Sequence, residues 1–140
     1  MSVRERPKYL REDVKKLPAV ARRLHARVRE RCLALEGAVE EFPWGGTGVY
    51  KIRGKIFAGT GMDGANFSVG FKPPAEERED ALALPFVRVA DYVGRYGWVQ
   101  ASLTKLGQLE LIWPWIEQSH RRLAPKTKPR TKPKRAARAR

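Results

Sequence analysis

The hexapeptide Phe67-Ser68-Val69-Gly70-Phe71-Lys72 alternates large apolar residues with small or polar ones, and this period of two constrains the fold more than any other segment. Successive side chains of a strand point to opposite faces, so Phe67, Val69 and Phe71 face a core while Ser68, Gly70 and Lys72 face away from it. A strand with one apolar face belongs in an antiparallel sheet covered on that side. Neighbouring segments supply its partners. Val49-Tyr50-Lys51-Ile52 and Lys55-Ile56-Phe57-Ala58 flank Arg53-Gly54, a hairpin with a two-residue turn. Trp98 to Leu103 reads as a further strand with Val99, Ala101 and Leu103 inward. Pro73-Pro74 ends the central strand, and Ala75 to Leu84 reads as a short acidic helix stopped at Pro85.

Helical spacing brackets these strands. Pro18 suits the first position of a helix running to about Leu35, with Gly37 as its C-cap. Val20, Ala21, Leu24, Val28, Cys32 and Leu35 recur there at intervals of three and four, one stripe facing a core. A last helix carries Leu109, Ile112, Ile116, Ser119/His120 and Leu123 on one stripe; Pro114 predicts a start near Glu110 or a kink. The order predicts an α+β domain, an antiparallel sheet with helices packed on one face. That domain spans residues 18–125, after a basic arm (1–17) and before a Lys/Arg/Pro-rich tail (126–140). The tail has no large apolar residue, so disorder is expected.

The formal net charge is +14, and its placement matters more than its size. Residues 1–31 hold 11 Lys/Arg against 4 Asp/Glu, and residues 126–140 hold 8 Lys/Arg and no acid. Residues 32–125 hold 10 against 11. The basicity belongs to the ends, which implies a polyanionic partner captured there. Cys32 is the only cysteine, which excludes a disulfide framework and a cysteine zinc site and suits a reducing compartment. Met1 to Arg11 is charged without an apolar run, and the most apolar stretch, Leu109 to Ile116, is too short for a bilayer. A cytoplasmic location without membrane contact is the expectation.

Motifs that suggest chemistry fail on context. Gly59-x-Gly61-x-x-Gly64 matches a dinucleotide fingerprint by letter, but a strand follows where a helix is needed, so the run reads as a hairpin turn. Glu40 and Glu41 point to opposite faces of a strand. Glu76, Glu77, Glu79 and Asp80 read as a solvated helix face. His25 has no recognisable catalytic neighbour, and Ser119 and His120 diverge by about 100° on a helix. Cys32 reads as a small core residue. No catalytic residue, metal ligand or cofactor is assigned.

Candidate nucleic-acid contacts are easier to name. The outward register places Lys51, Lys72 and Trp98 on one sheet face, with Arg53 and Lys55 at the hairpin and Arg95 ahead of Trp98. Cations with an aromatic suit phosphates plus a stacked base; the alternative is a Trp98 packed beneath a loop or the final helix. Arg22, Arg23, Arg27 and Arg29 lie off the first helix's stripe, as a solvated face or a phosphate-contacting one. In the tail, Lys126, Lys128, Arg130, Lys132, Lys134, Arg135, Arg138 and Arg140 are interleaved with Pro, which suits an extended segment tracking phosphates.

Several segments also resemble a known family. Leu35-Glu36-Gly37-Ala38-Val39-Glu40-Glu41-Phe42-Pro43-Trp44-Gly45, Gly54-Lys55-Ile56-Phe57-Ala58, Val69-Gly70-Phe71-Lys72, Tyr92-Val93-Gly94 with Gly97-Trp98-Val99, and Ser119-His120-Arg121-Arg122-Leu123-Ala124-Pro125-Lys126 occur in the order seen in the MmcQ/YjbR family of small bacterial DNA-binding proteins. The likeness spans roughly residues 20–126. His120 stands where that family usually has Tyr, and the basic arm and tail are extra. The resemblance implies a CyaY-like antiparallel sheet whose hairpins form a double wing thought to contact DNA. The resulting expectation is a non-enzymatic, weakly sequence-specific DNA-binding protein. One alternative is RNA binding. Another is a small-molecule or protein-interaction module with a pocket around Trp44, Tyr92 and Trp98 and ends that only add solubility. A frataxin-like metal role is disfavoured by the basic first helix.

Overall fold

The computed structural model describes residues 15–43, 46–64, 66–91 and 93–124. Helix α1 (Ala19–Leu33) leads into strands β1 (Val39–Glu41), β2 (Val49–Ile52), β3 (Lys55–Asp63) and β4 (Asn66–Phe71). A 3₁₀ turn (Ala75–Glu77) runs into the short helix α2 (Arg78–Leu82), followed by β5 (Val87–Val89). A second 3₁₀ turn (Gly94–Tyr96), β6 (Val99–Leu103) and α3 (Leu106–Leu123) complete the order. The strands form one antiparallel sheet, β1-β2-β3-β4-β6-β5. This is the expected α+β arrangement. The disorder expected of residues 126–140 lies outside the described residues.

The alternating strand is central. Phe67, Val69 and Phe71 of β4 and Val99, Ala101 and Leu103 of β6 are buried against the helices. Ala21, Leu24, Val28 and Cys32 of α1 pack onto them, with Leu109, Ile112, Trp113 and Ile116 of α3. Arg53 (φ 54°) and Gly54 (φ 79°) make the two-residue turn between β2 and β3, closed by the Ile52–Lys55 pair. No helix among the described residues is long and apolar enough to cross a membrane.

Several local expectations change. Pro18 caps α1 rather than opening it, and the helix stops at Leu33 with Ala34 as C-cap. Gly37 (φ 75°) serves the turn into β1 instead, where a Cβ would lie 2.6 Å from Ile52 Cδ1. Strand β3 runs through the glycine-rich segment, so Gly59 and Gly61 are strand residues and only Gly64 (φ 65°) turns the chain. Strand β5, three residues long, gave too short an alternation to be read from sequence.

Helix α3 begins at Leu106, ahead of the expected start, because Gln108 Oε1 accepts from the backbone N–H of Thr104 (2.7 Å) and Lys105 (3.2 Å). Pro114 lies inside it, exposed. An interior proline costs about 3 kcal/mol, whereas burying Leu109, Ile112, Trp113 and Ile116 contributes about 6–12 kcal/mol, so the helix continues.

One buried charge ties α1 to the sheet edge. The Glu40 side chain is 1% exposed; Arg29 Nε donates to both its oxygens at 3.0 Å, and Tyr50 Oη donates to Oε2 at 3.1 Å. Arg29 is therefore half-buried and ion-paired, not part of an open basic face. Replacing Arg29 with Met removes this cation from a buried carboxylate, and urea unfolding should register a loss of about 2–4 kcal/mol. A loss under about 0.5 kcal/mol would contradict that account of the pair.

Candidate nucleic-acid interface

The face of the sheet away from the helices is not an open plane. Gly59 of β3 stands directly across from Gly70 of β4, and Gly61 across from Ser68. Four adjacent positions thus carry nothing larger than a hydroxymethyl group. Over them lies a groove of about 700 Å³, walled by Val49, Ile56, Met62 and Trp98. Ser68, expected to face solvent, does point outward but is only 5% exposed. A Cβ at Gly59, Gly61 or Gly70 would meet its nearest neighbour at 3.6, 3.5 and 3.8 Å, so side chains fit there sterically and would fill the groove.

The groove's charges nearly cancel. Arg88 reaches Asp91 Oδ1 at 3.3 Å and Asp63 Oδ2 at 3.8 Å, and Ser102 Oγ donates to Asp63 at 2.7 Å. Gln100 lines the groove with no side-chain partner among the described residues. Trp98 is half-buried along this wall and does not lie beneath the final helix. Pro43, Asp91 and Val93 also border the groove. Their neighbours Trp44 and Tyr92, expected at a pocket with Trp98, lie outside the described residues.

A second hollow, about 470 Å³, adjoins the first. Lys72, Arg78, Arg95 and Tyr96 line it, with no carboxylate among its lining residues. Arg95 lies over the Tyr96 ring at 4.9 Å, and Tyr96 is 57% exposed. Arg78 Nη2 donates to the Gly94 carbonyl (3.2 Å), while its buried Nε has no partner among the described residues. A buried donor left unsatisfied costs about 1–3 kcal/mol.

Of the cations expected to act together, Lys72 and Arg95 do share this hollow, and Trp98 is the residue after Gly97 on its rim. Lys51 stands two strands from Lys72, its Nζ 2.8 Å from Glu41 Oε1. Arg53 and Lys55 are exposed at the β2–β3 turn and line neither cavity. Lys126, Lys128, Arg130, Lys132, Lys134, Arg135, Arg138 and Arg140 lie outside the described residues. The sequence neighbourhood of Arg78 reads as acidic helix and gives no sign of this placement. The groove was legible in principle, since Gly59, Gly61 and Gly70 all fall on outward positions.

The first helix's basic face is largely engaged. Arg31 reaches Glu110 at 2.7 Å and lies over the Trp113 ring at 4.4 Å, while Arg27 approaches both Glu30 and Glu110. Glu77, expected on a solvated face, is half-buried and accepts a hydrogen bond from Trp115 Nε1 at 2.8 Å.

The residues that hinted at catalysis act structurally. Ser119 Oγ donates to the Lys72 carbonyl (2.8 Å), whereas His120 Nε2 donates to the Glu36 carbonyl (2.7 Å) with its ring edge-on to Phe57. His25 Nε2 donates to the Thr47 carbonyl at 3.0 Å. Arg122 Nη2 also donates to the Lys72 carbonyl, at 2.7 Å. The C-terminal turn of α3 is therefore fastened beside the cationic hollow. Burial pushes the Cys32 thiol well above the ordinary thiol range, with Arg31 acting to lower it and Glu40 to raise it.

A family model described as YjbR matches residues 33–122. A comparison with curated proteins finds no match.

Thermal or urea unfolding of Ser119→Ala and His120→Ala should show losses of about 1 and 2–4 kcal/mol. A hydrolytic or transfer activity abolished by either change would refute their structural assignment. Cys32 should react with a soluble aromatic disulfide only as fast as the chain opens; rapid reaction in the native state would contradict its burial.

Proposed function

The chain belongs to the YjbR family, and from that membership and the placement of its charge we infer a non-enzymatic protein that binds DNA through its phosphate backbone. The observation that carries the reading is where the charge leaves the domain. Helix α3 ends at Leu123, about one turn after Ser119 and one residue after Arg122, which both donate to the carbonyl of Lys72. The eight cations of residues 126–140 therefore follow from a root beside Lys72, Arg78 and Arg95. Cations of the tail and of the hollow can engage one polyanion together. The groove, with its neutralised Arg88, offers a phosphate chain no comparable attraction.

A backbone-directed binder of this kind has weak sequence preference, because phosphates carry no base information. Ser119 and His120, fastened to separate carbonyls, support the non-enzymatic part of the reading. The expected location is the cytoplasm, where such a partner is reached without export. RNA presents the same phosphates, and DNA is preferred on the family resemblance.

Affinity from phosphate neutralisation falls with salt at a log–log slope of about −0.9 per contact on duplex DNA. Removing residues 126–140 should make the slope shallower by roughly 4–7 and weaken binding similarly on unrelated sequences. Fluorescence anisotropy across a salt series with the full chain and one ending at Pro125 measures this. No affinity of the full chain for DNA or RNA at low salt would end the reading.

A further inference from the structure

We propose that the face formed by the glycine-paved groove and the adjacent cationic hollow binds single-stranded nucleic acid, the hollow taking a phosphate and the groove taking the neighbouring base against Trp98. This rests on the nucleic-acid reading above and deepens it by naming the form of nucleic acid the folded domain takes.

The argument begins with adjacency. Three segments pass from one cavity to the other: Gly70 lines the groove and Lys72 the hollow, Val93 the groove and Gly94 the hollow, Trp98 the groove and Gly97 the hollow. Along β4 the step from Gly70 to Lys72 is two residues, about 7 Å. That is comparable with the separation of phosphate and base within one nucleotide. The two cavities differ in chemistry in the same sense as the two ends of a nucleotide. The hollow offers the cations of Lys72, Arg78 and Arg95 without a carboxylate among its lining residues. The groove offers a flat floor, an indole wall, and the amide of Gln100 with both donor and acceptor. Its carboxylates, Asp63 and Asp91, hold Arg88 and repel a second phosphate.

The floor also selects for an unpaired base. Gly59, Gly61 and Gly70 leave a slot below the level of Trp98 and Met62, and a base can enter it only when out of a duplex stack. Stacking on an aromatic wall is tolerant of sequence, consistent with weak specificity. Tyr96, exposed beside Arg95 in the lining of the hollow, offers a second ring to a neighbouring base.

The test uses the full chain, a labelled ten-nucleotide thymidine strand and a ten-base-pair duplex, with anisotropy at low salt. Gly70→Leu fills the groove at a position where a Cβ has 3.8 Å to its nearest neighbour. Lys72→Gln with Arg95→Gln removes two exposed cations from the hollow. Gly70→Leu should bind the single strand roughly 10- to 100-fold more weakly, while duplex affinity, supplied by the cations of tail and hollow, changes less than about threefold; the double cation variant should weaken both. Should Gly70→Leu unfold, as judged by circular dichroism, Trp98→Leu carries the same comparison. Equal loss on both nucleic acids from the groove variants, or no loss on either, overturns the proposal while leaving the tail-directed reading intact. A wild-type chain that binds neither nucleic acid refutes both.

Discussion

The structure depends on an asymmetry within one strand. β4 sends Phe67, Val69 and Phe71 to one side and Ser68 and Gly70 to the other. The apolar side commits α1 and α3 to the same face of the sheet, because only there can their stripes leave water. Small residues on the opposite side, matched across the pair by Gly59 and Gly61, leave a hollowed surface rather than a second core. Architecture and candidate site are two outcomes of a single alternation.

Local and long-range information divided accordingly in the sequence. Phe67 to Lys72, Trp98 to Leu103 and the Arg53-Gly54 turn were legible, since each rests on the side-chain period or on two backbone angles. Sequence places the start of α3 too late because the penalty of Pro114 is local, while the burial that offsets it comes from a sheet distant in sequence. The glycine run suggests a turn for a similar reason: glycine is permissive anywhere, and only its pairing with Gly70 and Ser68 fixes it as strand.

The candidate site was half visible. Outward register or charge points to Lys72, Arg95 and Trp98, and they do border the two adjoining cavities. Lys51 was grouped with them because register assigns a face but not a position across the sheet, and Glu41 was close enough to engage it. Arg29 and Glu40 were separated in sequence by a helix end and a turn, so their buried pairing had no local signal. Arg78 sits among acids in sequence and among cations in space.

The fastening of α3 to the Lys72 carbonyl has a kinetic consequence. If the hollow and groove bind a strand as proposed, a polycation rooted beside them turns the second contact into an intramolecular event. Its rate is then governed by effective concentration, in the millimolar range for short linkers, and not by the free concentration of either partner. A strand held loosely by its phosphates would sample the groove many times before escaping. Residence on the domain would then outlast what either contact sustains alone.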